Sequence, residues 1–208
     1  MAAFIQTTAP QDAVGELAAM YARQQMAWGY VPNYAKVFSD RPEVLARWGR
    51  MLAEIRRPMD ARRFELVTFV ASLELRSSAC SLVHGNKLRA FFSDEDVLAI
   101  AADRECSSLT AAERAMLRFA RQLIQDATQI TAEQVHEMKA LGLSDGEVFD
   151  IAAAVAGRAF FAMLLDALGV LPDAALITID AALREPLTVG RPIDADPCVT
   201  MPVPATQP

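Results

Sequence analysis

Cys80 and His84 are the two side chains of this chain whose types and spacing suggest nucleophilic or acid–base chemistry. Four residues apart on an α-helix, they stand on one face. A thiol in the first turn of a helix, after a break at Arg76-Ser77-Ser78, feels the positive end of the backbone dipoles. A protonated imidazole beside it would add a second positive charge, and both effects favour the reactive thiolate. Glu65 lies fifteen residues before Cys80, or roughly 22 Å along one straight helix. It can join the pair only if the chain folds back near 76–78, laying a helix over 60–75 antiparallel to one over 79–91. A carboxylate beside His84 would then orient the ring and raise its basicity, leaving the other nitrogen to serve the thiol. Val83, Lys87 and Phe91 continue the stripe of Cys80 and His84, so the pair is expected to face the interior. Lys87 could bind a substrate carboxylate, a surface ion pair being the commoner alternative.

The elements that would hold these groups are legible as helices. Thr110-Ala-Ala-Glu113, Thr131-Ala-Glu-Gln134 and Ser144-Asp-Gly-Glu147 are capping boxes, and Ser93-Asp-Glu-Asp96 is an acidic variant of one. Gly142 and Gly169 sit where helices should end. No period-2 apolar run bounded by turn residues is present, so an all-α fold is expected. The pattern places helices near 11–28, 42–56, 60–75, 79–91, 94–103, 111–127, 132–141, 145–168 and 173–183. The helix over 145–168 is apolar nearly all round, which calls for a central position or a subunit interface. Arg158 within it calls for a partner, with Asp150 and Asp166 as candidates. Residues 1–184 read as one helical domain, and 185–208, with six prolines, as an extended arm that could lie on a neighbouring subunit.

Composition narrows the function classes. The chain has 208 residues, 53% of them hydrophobic and 22% charged, with a net charge of −6. That balance gives a globular core, and its sign disfavours nucleic acid and anionic lipid as partners. The start of the chain lacks the basic and apolar regions of a secretory signal, and Arg158 and Asp166 interrupt the longest apolar stretch, so no membrane span is expected. Three widely spaced cysteines, Cys80, Cys106 and Cys198, point to a reducing, cytoplasmic compartment. No metal-ligand cluster, phosphate-binding glycine loop or dinucleotide fingerprint is present, so neither metal nor cofactor is expected.

Around the Cys-His pair the chain resembles the alkylhydroperoxidase/carboxymuconolactone decarboxylase superfamily, in its peroxidase-related branch. Redox members carry a Glu and, about a dozen residues on, Cys-x-x-Cys-x-x-x-His. Here Glu65, Cys80 and His84 match, while Ser77 stands where the first cysteine is expected. Gly29-Tyr-Val-Pro-Asn33, Arg62-Arg-Phe-Glu65, Leu141-Gly-Leu-Ser-Asp-Gly-Glu147 and Ala167-Leu-Gly-Val170 extend the likeness over about residues 25–175. The resemblance implies an all-α fold of that type, a homo-oligomer, and reduction of alkyl hydroperoxides. Cys80 would be the nucleophile, His84 its base and Glu65 the proton-relay partner. It implies an external thiol reductant as well, since Ser77 can hydrogen-bond a thiolate but cannot resolve a sulfenic acid as a disulfide. Cys106, Cys198 or a partner subunit's thiol are the other conceivable resolvers. Two rival readings stand beside this one. The first is non-redox acid–base chemistry by His84 and Glu65, a decarboxylase or lyase on a small carboxylated or lactone substrate. The second is a helical oligomer without catalysis, in which Cys80 and His84 are core residues. His136, among Glu133, Gln134, Glu137 and Lys139, reads as part of a solvated face.

Overall fold

The computed structural model describes residues 3–195, so Cys198 lies outside them. The helices are α1 (Gly15–Trp28), α2 (Asn33–Lys36), α3 (Pro42–Arg56), α4 (Ala61–Glu74), α5 (Ser78–Leu88), α6 (Asp94–Ala101), α7 (Ala111–Asp126), α8 (Ala132–Ala140), α9 (Asp145–Ala167) and α10 (Ala181–Leu187). No strand occurs among the described residues. All three expected capping boxes form, with the hydroxyls of Thr110, Thr131 and Ser144 each accepting from the N–H three residues on.

Helix α4 is the centre of the molecule. Every residue from Phe64 to Ser72 is buried, and the helix packs on α5, α7 and α9. Its polar members are satisfied within the helix: Thr68 Oγ1 donates to Phe64 O at 2.7 Å and Ser72 Oγ to Phe69 O at 2.6 Å. Such internal bonds let a helix carry hydroxyls on a buried face at little cost.

The chain reverses between α4 and α5 where the sequence required it. Leu75 ends α4, and Arg76 takes a left-handed conformation with φ 56°. The Ser77 N–H then reaches back to Ser72 O at 2.9 Å and the Arg76 N–H to Leu73 O at 2.9 Å. These paired bonds form a Schellman stop, with arginine where glycine is commonest. Helix α5 ends at Leu88, short of the expected 91, so Phe91 leaves the inner stripe and is exposed.

Two expected elements differ. The helix expected over 173–183 divides into a 3₁₀ turn, Ala174–Thr178, and α10, because Asp180 caps a new start by accepting from Ala182 N at 2.8 Å. Helix α10 runs past the composition change at Glu185, since Leu187 is fully buried against Gly85 of α5, where a Cβ would come within 2.4 Å of it. Beyond α10, residues 188–195 form a strap on their own chain. Gly190 N donates to Ser78 Oγ at 2.8 Å and Asp194 N to Pro172 O at 2.9 Å. Gly190 passes so near the α4–α5 turn that a Cβ would lie 1.9 Å from Arg76 O, which reserves the position for glycine.

Helix α9 is long and apolar enough to cross a membrane. Its apolar residues are used in packing, with α3, α4, α7 and α8 covering one side. The other side leaves Phe149, Phe160 and Met163 exposed in a row.

Candidate active site

The fold-back delivers Glu65 to His84. His84 Nδ1 lies 2.6 Å from Glu65 Oε2, and both side chains are almost wholly buried. Burial pushes the imidazole down to about 4, with the nearby Arg158 charge acting in the same direction and Glu65 opposing them. The ring is therefore neutral near pH 7. Burial of Glu65 favours its neutral form, but His84, Lys87 and Arg56 outweigh that and hold the carboxyl well below its ordinary range. An ionised Glu65 accepts the Nδ1 proton, which leaves Nε2 as the basic nitrogen. Thr68 Oγ1, 3.3 Å from Nδ1, braces the ring from α4.

Lys87 is half-buried and forms an ion pair, as its alternative reading had it, though with a buried carboxylate. Its ammonium stands 3.8 Å from the second Glu65 oxygen, and burial lowers its proton affinity. Glu65 thus bridges an imidazole and an ammonium one turn apart on α5.

Cys80, on the first turn of α5, is buried and reduced. Its hydrogen-bond partner is not the one the sequence suggested. Among the described residues its sulfur makes no hydrogen bond to His84; Sγ lies 3.8 Å from Nη1 of Arg158, which enters from α9. The cation beside the thiol is thus a guanidinium, always charged, and not an imidazolium. Negative charge developing on sulfur is stabilised by it without any protonation event. Neither Asp150 nor Asp166 pairs with Arg158 among the described residues; Asp166 accepts from Ser77 and lies near Arg191. Sequence reasoning marked Arg158 as needing a partner and missed its role. Its one usable signal was a lone arginine in an apolar helix, whose destination is set by packing 78 residues away in the chain.

Cys80, His84, Lys87 and Arg158 line one cavity of about 190 Å³. Aromatic rings, Trp28, Tyr30, Tyr34, Trp48 and Phe161, make up half of the remaining wall, aliphatic side chains most of the rest, and Asp173 stands beside Tyr30. Trp48 and Phe161 stack at 4.2 Å, nearly parallel at 9°, and Tyr34 meets Phe161 edge-on at 5.3 Å. Asp173 accepts from Asn33 N at 2.6 Å, and burial raises its carboxyl to about 6.

Ser77 does not face this cavity. It forms the N-cap of α5, its hydroxyl is bonded to Asp166, and it is buried. Cys106 is also remote, packed in the other core cluster with its thiol donating to Asp96 at 3.3 Å, so it is no resolving partner for Cys80 in this structure. Among the described residues no three His, Cys, Asp or Glu side chains gather as a metal site.

No protein-family model matches the chain, and no curated protein matches it in sequence. Solved structures do. A peroxidase-related protein of Ralstonia eutropha JMP134, described as an alkylhydroperoxidase AhpD core, superposes with a TM-score of 0.72 at 17% identity, over 84% of this chain and 94% of that one. A peroxidase-related protein of Silicibacter sp. TM1040 gives 0.66 at 20% identity, over 78% and 87%. A variant of the debrominase Bmp8 in complex with 2,3,4-tribromopyrrole gives 0.68 at 18% identity, over 88% and 95%. By these superpositions the chain, helical throughout its described elements, has the AhpD-like all-α fold.

Proposed function

We propose that the protein is a cytoplasmic thiol-dependent oxidoreductase that reduces a small hydroperoxide at Cys80. The observation that carries this reading is the buried thiol, held 3.8 Å from an arginine in the cavity that His84 also lines. The thiol proton passes to His84, whose Nδ1 proton is retained by Glu65, and the sulfur attacks the distal peroxide oxygen. The O–O bond breaks, the sulfur becomes a sulfenic acid, and the imidazolium returns its proton to the departing alkoxide. Because Ser77 cannot resolve this acid, one external thiol condenses with it, releasing water, and a second frees Cys80 as a disulfide leaves.

An acid–base reading is the second one, favoured by a neutral imidazole backed by a carboxylate. The two separate on thiol chemistry. The oxidoreductase is expected to alkylate with iodoacetamide at Cys80 at neutral pH and to trap a sulfenic acid after one equivalent of peroxide. Ser77→Cys, at the helix cap three residues before Cys80, gives up the Asp166 bond and comes within disulfide reach by turning toward Cys80; it is expected to raise turnover with a dithiol reductant. An unreactive Cys80 with both proteins inactive leaves only His84 and Glu65, or a helical oligomer without catalysis.

The exposed row of Phe149, Phe160 and Met163 on α9 supports a homo-oligomer that covers it. Light scattering is expected to give at least a dimer of the 22.7 kDa chain; a stable monomer at micromolar concentration would refute the assembly.

A further inference from the structure

The cavity wall opposite in character to the thiol chemistry is chemically specific in its own right. Both tryptophans of the chain and two of its three tyrosines line it. Trp48 and Phe161 stack on each other and, with Trp28, Tyr30 and Tyr34, give the cavity an aromatic wall, in which a hydrogen bond from Trp48 Nε1 to Gly157 O at 3.0 Å fixes the indole. An aromatic wall favours an aromatic ligand, because rings gain from offset-stacked and edge-to-face contacts beyond what their buried area supplies. A cavity of about 190 Å³ is close to the roughly 150 Å³ that encloses a benzene ring. It has room for one ring with a short substituent.

Arg158 supplies the second half of the argument. It is 6% exposed, and its one hydrogen bond among the described residues is the long contact with Cys80. Its Nε is buried without an acceptor. A guanidinium has five N–H donors, and leaving them unsatisfied in a buried site is costly unless a ligand completes them. Among the described residues no carboxylate pairs with it, and its charge lies 5.9 Å from the Trp48 ring and 5.8 Å from Phe161. Lys87 lines the same cavity, and its ion pair with Glu65 is long at 3.8 Å. The carboxylates nearby are already committed, Glu65 to His84 and Lys87, and Asp173 to Asn33 N.

We propose that the cavity binds a single-ring planar aromatic molecule carrying one anionic group, the ring within the aromatic wall of Trp28, Tyr34, Trp48 and Phe161 and the anion on Arg158 with Lys87 behind it. This deepens the thiol reading, on which it rests for the end of the ligand that faces Cys80. It is an inference about recognition and adds no chemical step.

The tryptophans themselves report the test, since both stand in the cavity wall. Benzoate is expected to change the intrinsic fluorescence saturably. Benzyl alcohol, which keeps the ring without the charge, and cyclohexanecarboxylate, which keeps the charge without the flat ring, are each expected to bind at least tenfold more weakly. Arg158→Met is expected to weaken benzoate at least tenfold and Arg158→Lys to recover part of the loss. If Arg158→Met fails to fold, the three-probe comparison on the unaltered protein still decides. Equal binding of benzyl alcohol overturns the anion site, equal binding of cyclohexanecarboxylate overturns the ring site, and no binding overturns both. Iodoacetamide labelling of the same samples separates this from the thiol reading. Selective benzoate binding to a protein with an unreactive Cys80 sustains the recognition site and removes the thiol chemistry; a reactive Cys80 without selectivity does the reverse.

Discussion

Peroxide turnover is expected to fall to the level of free thiol in Cys80→Ser, and by about 10²- to 10⁴-fold in His84→Ala, the range for loss of a positioned proton-transfer group. The first removes the only thiol in the cavity among the described residues. The second removes the basic nitrogen but leaves Arg158 3.8 Å from sulfur, so alkylation of Cys80 by iodoacetamide is expected to survive better than turnover. That split distinguishes a proton carrier from a group that merely supports the thiol. The pH dependence has a definite sign. With its imidazole lowered to about 4, His84 stays neutral and able to accept a proton through the whole range above that value. The acid limb of kcat/KM is therefore expected near pH 4, well below an ordinary histidine. Glu65 opposes the lowering, so Glu65→Gln is expected to move the limb to still lower pH while reducing the rate. An acid limb near 6.5, unmoved by Glu65→Gln, would remove the Glu65–His84 pair from the mechanism.

Away from the cavity, Glu113→Ala is expected to destabilise the fold by about 2–4 kcal/mol. One nearly buried carboxylate here has two tasks. It closes the capping box of α7 by accepting from Thr110 N at 2.8 Å, and it binds Arg62 through both oxygens, at 2.6 Å to Nε and 3.2 Å to Nη2. Loss of a helix cap costs about 1 kcal/mol. Breaking a fully buried ion pair costs about 3–5 kcal/mol, and the smaller total reflects what Arg62 retains: partial exposure, the Ser108 carbonyl at 2.7 Å and the Phe92 ring 4.0 Å away. For a chain of this size the melting temperature should drop by about 5–15 °C. Glu113→Gln, which keeps a capping acceptor but loses the charge, is expected to show roughly half the effect. The labelling rate of Cys80 in the folded protein should not change in either variant. A melting curve identical to that of the unaltered protein would show that α7 is held by packing alone.

These two expectations draw on different kinds of information. The Thr110–Glu113 box is local: hydroxyl and carboxylate lie within one turn, so chain sequence alone determines their meeting, and the helix starts at 94, 111, 132 and 145 follow from the same short-range chemistry. Cys80 and His84 share a face for the same reason, set by helical period. Their approach by Glu65 was legible one step further, because only a reversal at 76–78 could bring it near, and Arg76 in a left-handed stop provides that reversal.

Tertiary packing decided the rest. Nothing within 20 residues of Cys80 announces that its polar neighbour is Arg158, which arrives only because α9 lies against the core beside α4. Nor could spacing show that the imidazole is neutral, since that depends on complete burial and on the same distant guanidinium. The aromatic wall gathers Trp28 and Tyr34 with Trp48 of α3 and Phe161 of α9, residues that no sequence window contains together. Leu187 entered α10 where proline content suggested an arm, because Gly85 leaves a space its side chain fills. Periodicity and capping are properties of neighbours along the chain and survive in the sequence. The charge state of a buried group and the shape of a cavity are sums over neighbours in space, and for this protein only the folded arrangement of α3, α4, α5 and α9 determines them.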